Sequence, residues 1–145
     1  MNCLDRVLRS AARLIGHIPK FDHVSSYMRD VLHWLPIRQR IEYRTAAVVW
    51  RCLLGLAPAY LIELCCPTLS ARGTRSLRSA EQDLLYVPHA RTATKQSRAF
   101  SVVGPSIWNE LPLALRSLPK IPTHLFPSHL KTVLFSRAGF GSASE

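Results

Sequence analysis

The segment of residues 32–66 constrains the fold most, because it contains the most apolar window of the chain. At about 100° per residue, apolar side chains cover nearly the whole circumference of a helix at residues 36–54. They are Ile37, Ile41, Val48 and Cys52 on one side, and Tyr43, Ala46, Trp50 and Leu54 on the other. A helix that is apolar nearly all round belongs at the centre of a core. We therefore predict a central helix at residues 36–54 around which the rest of the chain packs.

The exception on this helix is a narrow basic edge. Arg40, Arg44 and Arg51 line up at helical spacing and would give a largely buried helix one charged side. Either carboxylates or phosphates could bind there.

Further helices are predicted on both sides of the central one, at residues 3–18, 24–32, 59–65, 105–112 and 128–135. In the first, a helical repeat predicts the packed face, formed by Leu4, Val7, Leu8, Ala11, Ala12 and Ile15. Arg6, Arg9 and Arg13 are expected to be mostly exposed. Gly55 stands where a left-handed residue would end the central helix, and Pro58 can open the short helix after it.

Residues 67–98 differ in composition, being rich in Ser, Thr and basic residues. The basic side chains are Arg72, Arg75, Arg78, Arg91, Lys95 and Arg98, against two acidic ones, Glu81 and Asp83. Residues 84–87 and 99–103 have the apolar character of short strands, and we predict that they pair as an antiparallel hairpin across a long basic loop. A loop of that kind in a compact domain is more often functional or mobile than purely connective.

The predicted fold class is therefore mainly α: a small helical domain with a central buried helix and one short antiparallel β-hairpin. At 145 residues the chain is long enough to bury one core. We divide it into a helical core at residues 1–66, the basic segment at 67–98, a strand and short helices at 99–135 that pack back on the core, and a flexible tail at 136–145.

Charge is the strongest compositional signal: 19 Lys and Arg against 9 Asp and Glu give a formal net charge of +10. Such an excess favours a polyanionic partner, nucleic acid first and an acidic membrane second, or else a basic protein with no specific anionic ligand. The N-terminal residues mix arginines among apolar side chains and do not resemble a secretory signal. The apolar window holds Arg51, Pro58 and Glu63, so no membrane span is predicted.

The four cysteines, at positions 3, 52, 65 and 66, do not suggest a disulfide framework. We expect an intracellular protein, nuclear or cytoplasmic, that is neither secreted nor transmembrane and has no membrane partner.

No group of residues predicts catalysis. The acidic residues are scattered, so no carboxylate pair suggests acid–base or two-metal chemistry. No Walker loop, GxGxxG, GxSxG or HExxH motif is present. Cys65 and Cys66 have no second cysteine pair at a spacing that would complete a zinc site. We predict no catalytic residue, no metal, no cofactor and no small-molecule substrate.

Five blocks of sequence, in order, carry a family likeness. They are LHWLPIRQRIEYR, GLAPAYLIELC, RSLRSAEQDLLYVPHAR, RAFSVVGPSIWNELPLALRS and LKTVLF. Together they resemble the C-terminal region of non-LTR retrotransposon polyproteins, of the LINE-2-like, CR1-like and Rex-like groups. In that family the region follows the reverse transcriptase and is thought to help hold template RNA or target DNA. The basic blocks of the family match here at Arg75, Arg78, Arg91 and Arg98.

The chain lacks the paired aspartates of the polymerase palm and has no apurinic-type endonuclease domain. The resemblance therefore implies a noncatalytic fragment rather than an enzyme. It also has a departure from the family pattern: Pro127 follows Phe126 and is expected to shorten the last helix at its start.

We carry forward one main hypothesis and two alternatives. The first is a noncatalytic, retrotransposon-derived fragment that binds RNA, or DNA, through an arginine-rich surface and loop. Its candidate binding residues are Arg40, Arg44, Arg51, Arg72, Arg75, Arg78, Arg91, Lys95 and Arg98. The second is a protein-interaction or scaffold fragment with an exposed apolar surface that binds a protein partner. The third is a translated transposon relic with no selected function.

Overall fold

The computed structural model describes residues 3–68, 83–89 and 98–140 and confirms that the chain is mainly helical. The α-helices are α1 (Cys3–Gly16), α2 (Ser25–Asp30), α3 (Ile37–Leu53), α4 (Ala59–Ile62), α5 (Phe100–Glu110), α6 (Leu113–Arg116) and α7 (Leu125–Phe135). A π-helical turn, Ser136–Phe140, follows α7. None of these helices is long and apolar enough to cross a membrane.

The chain forms two compact units. The terminal unit comprises Met1–Ile41 and Lys131–Glu145, and the central unit comprises Glu42–Leu130. Both α3 and α7 contribute residues to each unit.

Helix α3 confirms the predicted central helix almost residue for residue. It begins directly after Pro36 and buries Ala46, Val49, Trp50 and Cys52. Its end is a Schellman motif: Gly55 has a φ of 70°, and the N–H groups of the two residues after Leu54 donate back to helix carbonyls, Gly55 to Cys52 at 3.0 Å and Leu56 to Arg51 at 2.9 Å. Glycine takes this left-handed conformation at no steric cost.

Three aromatic rings form the core of the central unit. The ring centroids of Trp50 and Phe126 are 4.3 Å apart with an interplanar angle of 9°, and Trp108 lies 5.7 Å from Phe126 and 6.2 Å from Trp50. All three residues are buried. Aromatic residues bury more apolar area per side chain than any others, so this cluster contributes much of the stability of the unit.

The predicted β-hairpin is wrong. Residues 99–103 enter helix α5, which buries Gly104, Pro105 and Trp108 on one face, and the described ranges contain no β-strand. A short run of aromatic and β-branched residues, here Phe100, Val102 and Val103, fits either a strand or a buried helix, and periodicity alone does not decide between them.

Helix α5 comes close to α3 at Gly104. A Cβ at Gly104 would lie 3.2 Å from Cγ2 of Val49, so glycine allows α5 to approach α3 closely. Pro105 lies inside α5 rather than opening it. Its missing N–H leaves the Ser101 carbonyl without the usual helical donor.

The other half of the predicted hairpin is extended but has a different partner. Leu85 forms an isolated antiparallel bridge with Pro67. The N–H of Thr68 donates to the Leu84 carbonyl at 3.0 Å, and the N–H of Tyr86 donates to the Cys66 carbonyl at 2.9 Å. Pro67 suits this position because its nitrogen is not needed as a donor in the bridge.

Helix α7 begins at Leu125, three residues before the predicted start, and it buries Phe126, Leu130 and Leu134. The expectation that Pro127 shortens this helix is wrong. Pro127 lies in the first turn, where a backbone N–H has no helical acceptor, so proline is tolerated there.

In the terminal unit, α1 is a helix as predicted, but the predicted packed face is wrong. Of the six residues expected to pack, only Ala12 is buried, and Leu4, Val7 and Ile15 are more than half exposed. Helix α1 packs on α2 through the side that carries Ala12 and Gly16: a Cβ at Gly16 would lie 2.7 Å from Cε1 of Tyr27.

We expect the substitution Trp50→Ala to lower the free energy of unfolding by about 3 to 5 kcal/mol, because it removes one ring of the buried aromatic cluster. Ile41→Ala on the same helix is the control, since Ile41 is 56% exposed, and it should cost less than about 1 kcal/mol. Urea unfolding followed by circular dichroism measures both. Equal losses for the two variants would contradict the assignment of the core.

Candidate nucleic-acid interface

The predicted basic edge of α3 is present at two of its three positions. Arg44 and Arg51 are exposed, and they lie seven residues apart, which places them on the same face about 10 Å apart along the helix axis. Within the described ranges, neither guanidinium group forms an ion pair or a side-chain hydrogen bond. The half-buried residues between them on this face are Ala47 and Val48. The nearest acidic residue of the helix, Glu42, is on roughly the opposite side.

Arg40, the third predicted residue, has a structural role. Its Nε donates to the Leu35 carbonyl at 3.0 Å, and its guanidinium carbon lies 5.4 Å from the centroid of the Trp34 ring. The side chain therefore fixes the entry to α3 and is a poor candidate for phosphate binding.

Arg116 makes the same kind of contact, which sequence reasoning missed. Its Nε donates to the Leu111 carbonyl at 3.0 Å, and the residue is buried. In both cases an arginine follows a buried leucine and a proline, in the segments LPIRQR and LPLALR. The arginine side chain folds back over the first turn of the helix to bind the carbonyl of that leucine. A Leu-Pro pair followed four residues later by Arg is the sequence signal that could have identified this role.

Arg98 is exposed just before α5. The five other predicted binding residues, Arg72, Arg75, Arg78, Arg91 and Lys95, lie outside the described residues.

Backbone hydrogen bonds hold residues 66–68 beside residues 84–86. Besides the backbone bonds of the Pro67–Leu85 bridge, the Thr68 hydroxyl lies 3.2 Å from the Leu84 carbonyl and donates to it. These hydrogen bonds hold the backbone at Cys66 and Thr68 beside that at Leu84 and Tyr86. The stretch between, residues 69–82, contains three of the predicted binding arginines.

The side-chain amide of Asn109 binds the outer edge of this extended segment. The Leu85 N–H donates to Oδ1 of Asn109 at 2.9 Å, and Nδ2 of Asn109 donates to the Leu85 carbonyl at 2.8 Å. One side chain thus makes both hydrogen bonds that a neighbouring strand would make. Leu85 is buried, so both of its backbone groups need these partners.

Asp83 has two further contacts. The indole Nε1 of Trp108 donates to its carbonyl at 2.8 Å, and Nζ of Lys120 forms an ion pair with its carboxylate at 2.8 Å. Lys120 and Asp83 are both about 40% exposed, so we count this pair as a weak contribution to stability. The Trp108 bond links the aromatic core directly to the anchored segment.

Two thiols of the central unit are buried together. Cys52 and Cys65 are neighbouring buried residues, and burial raises the pKa of both thiols. For Cys65 the pKa rises to about 12, chiefly through burial and then through the neighbouring Cys52. Both thiols are therefore protonated and unreactive at neutral pH. The described residues contain no group of three or more metal-binding side chains.

Two pockets of the described structure are small. One, of about 50 Å³, is bordered by Leu53, Leu85 and Lys120 in the central unit. The other, of about 70 Å³, is bordered by Asp5, Arg9 and Trp34 in the terminal unit. Each is well below the ~300 Å³ of a typical small-molecule site.

We expect Asn109→Leu to cost on the order of 2 to 4 kcal/mol of unfolding free energy, because it leaves the buried N–H and carbonyl of Leu85 unpaired. Ser106→Ala on the same helix is the matched control. It removes one hydrogen bond, from the hydroxyl to the Val102 carbonyl at 2.7 Å, and should cost under about 1 kcal/mol. Urea unfolding gives the energies, and amide exchange at Leu85 should accelerate only in Asn109→Leu. Unchanged protection of that amide would refute the anchoring role.

We expect maleimide labelling at neutral pH to modify Cys3 and Cys66 well before Cys52 and Cys65. Cys3 is exposed and Cys66 half-buried, whereas the other two are buried with raised pKa values. Mass spectrometry of proteolytic fragments identifies the labelled thiols, and the same reaction in guanidinium chloride should label all four. Equal rates in the native protein would show that the Cys52–Cys65 region is open to solvent.

Comparisons of this chain with protein-family models, with curated proteins and with solved structures find no match.

Proposed function

We propose that this chain is a noncatalytic, retrotransposon-derived fragment that binds the phosphate backbone of RNA through its central unit. The observation that carries the proposal is the Arg44–Arg51 face of α3. It presents two exposed guanidinium groups on one side of a helix whose opposite face is packed in the core.

The electrostatics of this face favour an anion. No acidic side chain lies between the two arginines, and the whole chain carries a formal net charge of +10. Charges separated by more than about 8 Å are largely screened at physiological ionic strength, so the immediate surroundings of each arginine matter most. Those surroundings are small and apolar, which leaves both guanidinium groups available to a polyanion.

Arginine is well suited to this role. Its planar guanidinium group binds a phosphate through two parallel N–H···O bonds. The separation of about 10 Å along the helix lets the two side chains bind different phosphates of one strand. Since phosphate contacts carry no base information, we expect little sequence preference.

The basic segment at residues 67–98 is the second part of the proposed surface. It would supply phosphate contacts from Arg72, Arg75, Arg78, Arg91 and Lys95, together with Arg98. RNA is preferred over DNA in this proposal because of the resemblance to polyproteins whose C-terminal region is thought to help hold template RNA.

We expect the double substitution Arg44→Gln, Arg51→Gln to weaken RNA binding and to reduce its salt dependence. Each lost contact to a single strand should lower the slope of log K against log salt by about 0.7, so the pair should lower it by about 1.4. Fluorescence anisotropy with a labelled single-stranded RNA, titrated at several salt concentrations, measures the slope.

The matched control is Arg29→Gln, Arg40→Gln, which removes the same charge from guanidinium groups already engaged within the protein. It should leave the slope nearly unchanged. A third variant, with Gln at positions 75, 78, 91 and 98, tests the basic segment separately. If the α3 variant and the control bind alike, the α3 face is not the site; if the third variant also binds as wild type does, the proposed function is wrong.

A further inference from the structure

The chain that follows α3 exposes two large apolar side chains next to the basic face of that helix. Leu56 is 55% exposed and Tyr60 is 66% exposed. Within the described ranges, the Tyr60 ring stacks on no other aromatic ring and has no cation over its face. The ring is therefore available to a ligand.

Both ends of the segment that carries Tyr60 are fixed to the last turn of α3. At its start, the Leu56 N–H donates to the Arg51 carbonyl at 2.9 Å, in the Schellman motif that ends the helix. At its end, Cys65 is buried next to Cys52. The chain therefore leaves α3 at its last turn and returns to the same turn.

This return limits how far Tyr60 can lie from Arg51. Tyr60 follows Leu56 by four residues, and four residues span at most about 14 Å when fully extended. The actual span is shorter, because α4 begins at Ala59 and a helix rises only about 1.5 Å per residue. A few nucleotides of one strand cover this distance, so a strand bound at Arg51 can reach the Tyr60 ring.

We propose that Tyr60 is a stacking platform for an unpaired base of the RNA whose phosphates bind Arg44 and Arg51. The ligand of the central unit is then single-stranded RNA rather than a duplex. This inference rests on the proposed function and deepens it, because the arginines account for phosphate binding and Tyr60 for the choice of a single strand.

The chemistry of an exposed tyrosine suits this role. Every base has a flat π-face, so stacking on an aromatic ring tolerates any sequence, as phosphate binding does. The bases of a single strand can be splayed out onto such a ring, whereas those of a helix are stacked on each other. The tyrosine hydroxyl can stay in water while a base covers the ring. A duplex therefore offers phosphates to the arginines but no base to Tyr60.

The packing of α3 also favours a single strand. The buried residues Val49 and Trp50 lie on the side of the helix opposite the Arg44–Arg51 face, and Ala47 and Val48 on that face are themselves half-buried. A helix that reads a duplex enters the major groove, which requires that it project from the protein. Helix α3 is embedded, so it presents a surface along which one strand can lie.

Glu63 restricts what can cover the Tyr60 ring. It is the acidic residue of this segment, it is exposed, and it follows Tyr60 by three residues. A carboxylate repels a phosphate or another carboxylate. The backbone of the strand is therefore expected on the Arg51 side, and the group over the ring is expected to be uncharged. A base meets this condition, whereas an acidic peptide does not.

The test compares Tyr60→Leu with wild type on a labelled, unstructured single-stranded RNA of about twelve nucleotides, which is within the usual size of a single-strand site. Leucine keeps an apolar side chain but has no π-face. Fluorescence anisotropy should show a loss of affinity of about fivefold or more, as for the loss of one stacked base. Because Tyr60 is exposed, the variant should keep the circular dichroism spectrum of wild type.

Two variants are the matched controls. Tyr60→Phe keeps the aromatic ring and should bind the single strand as wild type does. Phe21→Leu removes a ring of the terminal unit that is 92% exposed, and it should also bind as wild type does. A loss of affinity in Phe21→Leu equal to that in Tyr60→Leu would show that any exposed ring has the same effect, and the proposal would be wrong.

Two further measurements identify the group that stacks. When the same RNA is annealed to its complement, Tyr60→Leu and wild type should bind the duplex equally. They should also bind equally to a strand of the same length in which every base is replaced by an abasic site. The slope of log K against log salt should be the same for Tyr60→Leu and wild type, because stacking neutralises no phosphate.

An unchanged affinity of Tyr60→Leu for the single strand, or an equal loss on the single strand and the duplex, would overturn the proposal. It is also wrong if wild type sediments as a dimer that Tyr60→Leu converts to a monomer with unchanged RNA binding, since a second copy then covers the ring. The proposed function is judged separately, by the slope measured for Arg44→Gln, Arg51→Gln. A wild-type protein that binds no RNA would refute both.

Discussion

The central unit depends on the stacking of Trp50, Trp108 and Phe126, because these rings join three helices that are far apart in sequence. Trp108 also has a second role through its indole N–H, which binds the Asp83 carbonyl. The next residue, Asn109, binds Leu85. One turn of α5 therefore links the apolar core to the extended segment, and the chain on either side of the basic stretch is held where the core places it.

Some arginines of this protein bind backbone carbonyls and others are exposed, and the amino-acid composition does not distinguish the two classes. Arg40 and Arg116 bind the carbonyls of leucines five residues earlier and stabilise the starts of helices. Arg44 and Arg51 are exposed and have no such partner within the described structure. A high content of arginine is thus only partly a sign of an anionic ligand, because a guanidinium group is also an effective donor to backbone carbonyls just before a helix.

The sequence predicted the features that depend on local rules. The bounds of α3 follow from Pro36 at one end and Gly55 at the other, and the apolar repeat between them is that of a buried helix. The sequence did not predict features that depend on a distant partner. Phe100 and its neighbours lie in a helix that places Gly104 beside Val49, and the exposed side of α1 depends on its packing on α2.

The candidate interface follows the same division. The helical spacing of Arg44 and Arg51 is visible in the sequence and predicted their shared face. The contacts of Arg40 with the Leu35 carbonyl and the Trp34 ring were not predictable from its helical spacing. The positions of both partners depend on the turn before α3. The double hydrogen bond of Asn109 spans 24 residues of sequence, and a single asparagine in a helix gives no local sign of it.

The amide of Asn109 also determines what the extended segment offers to other chains. An open β-edge presents free N–H and carbonyl groups and can recruit a strand from a neighbouring molecule, which is a common start of aggregation. At Leu85 those groups are already bound, and the side chain that binds them has no further backbone from which pairing could continue. The isolated bridge between Pro67 and Leu85 thus has its Leu85 edge closed by a single side chain.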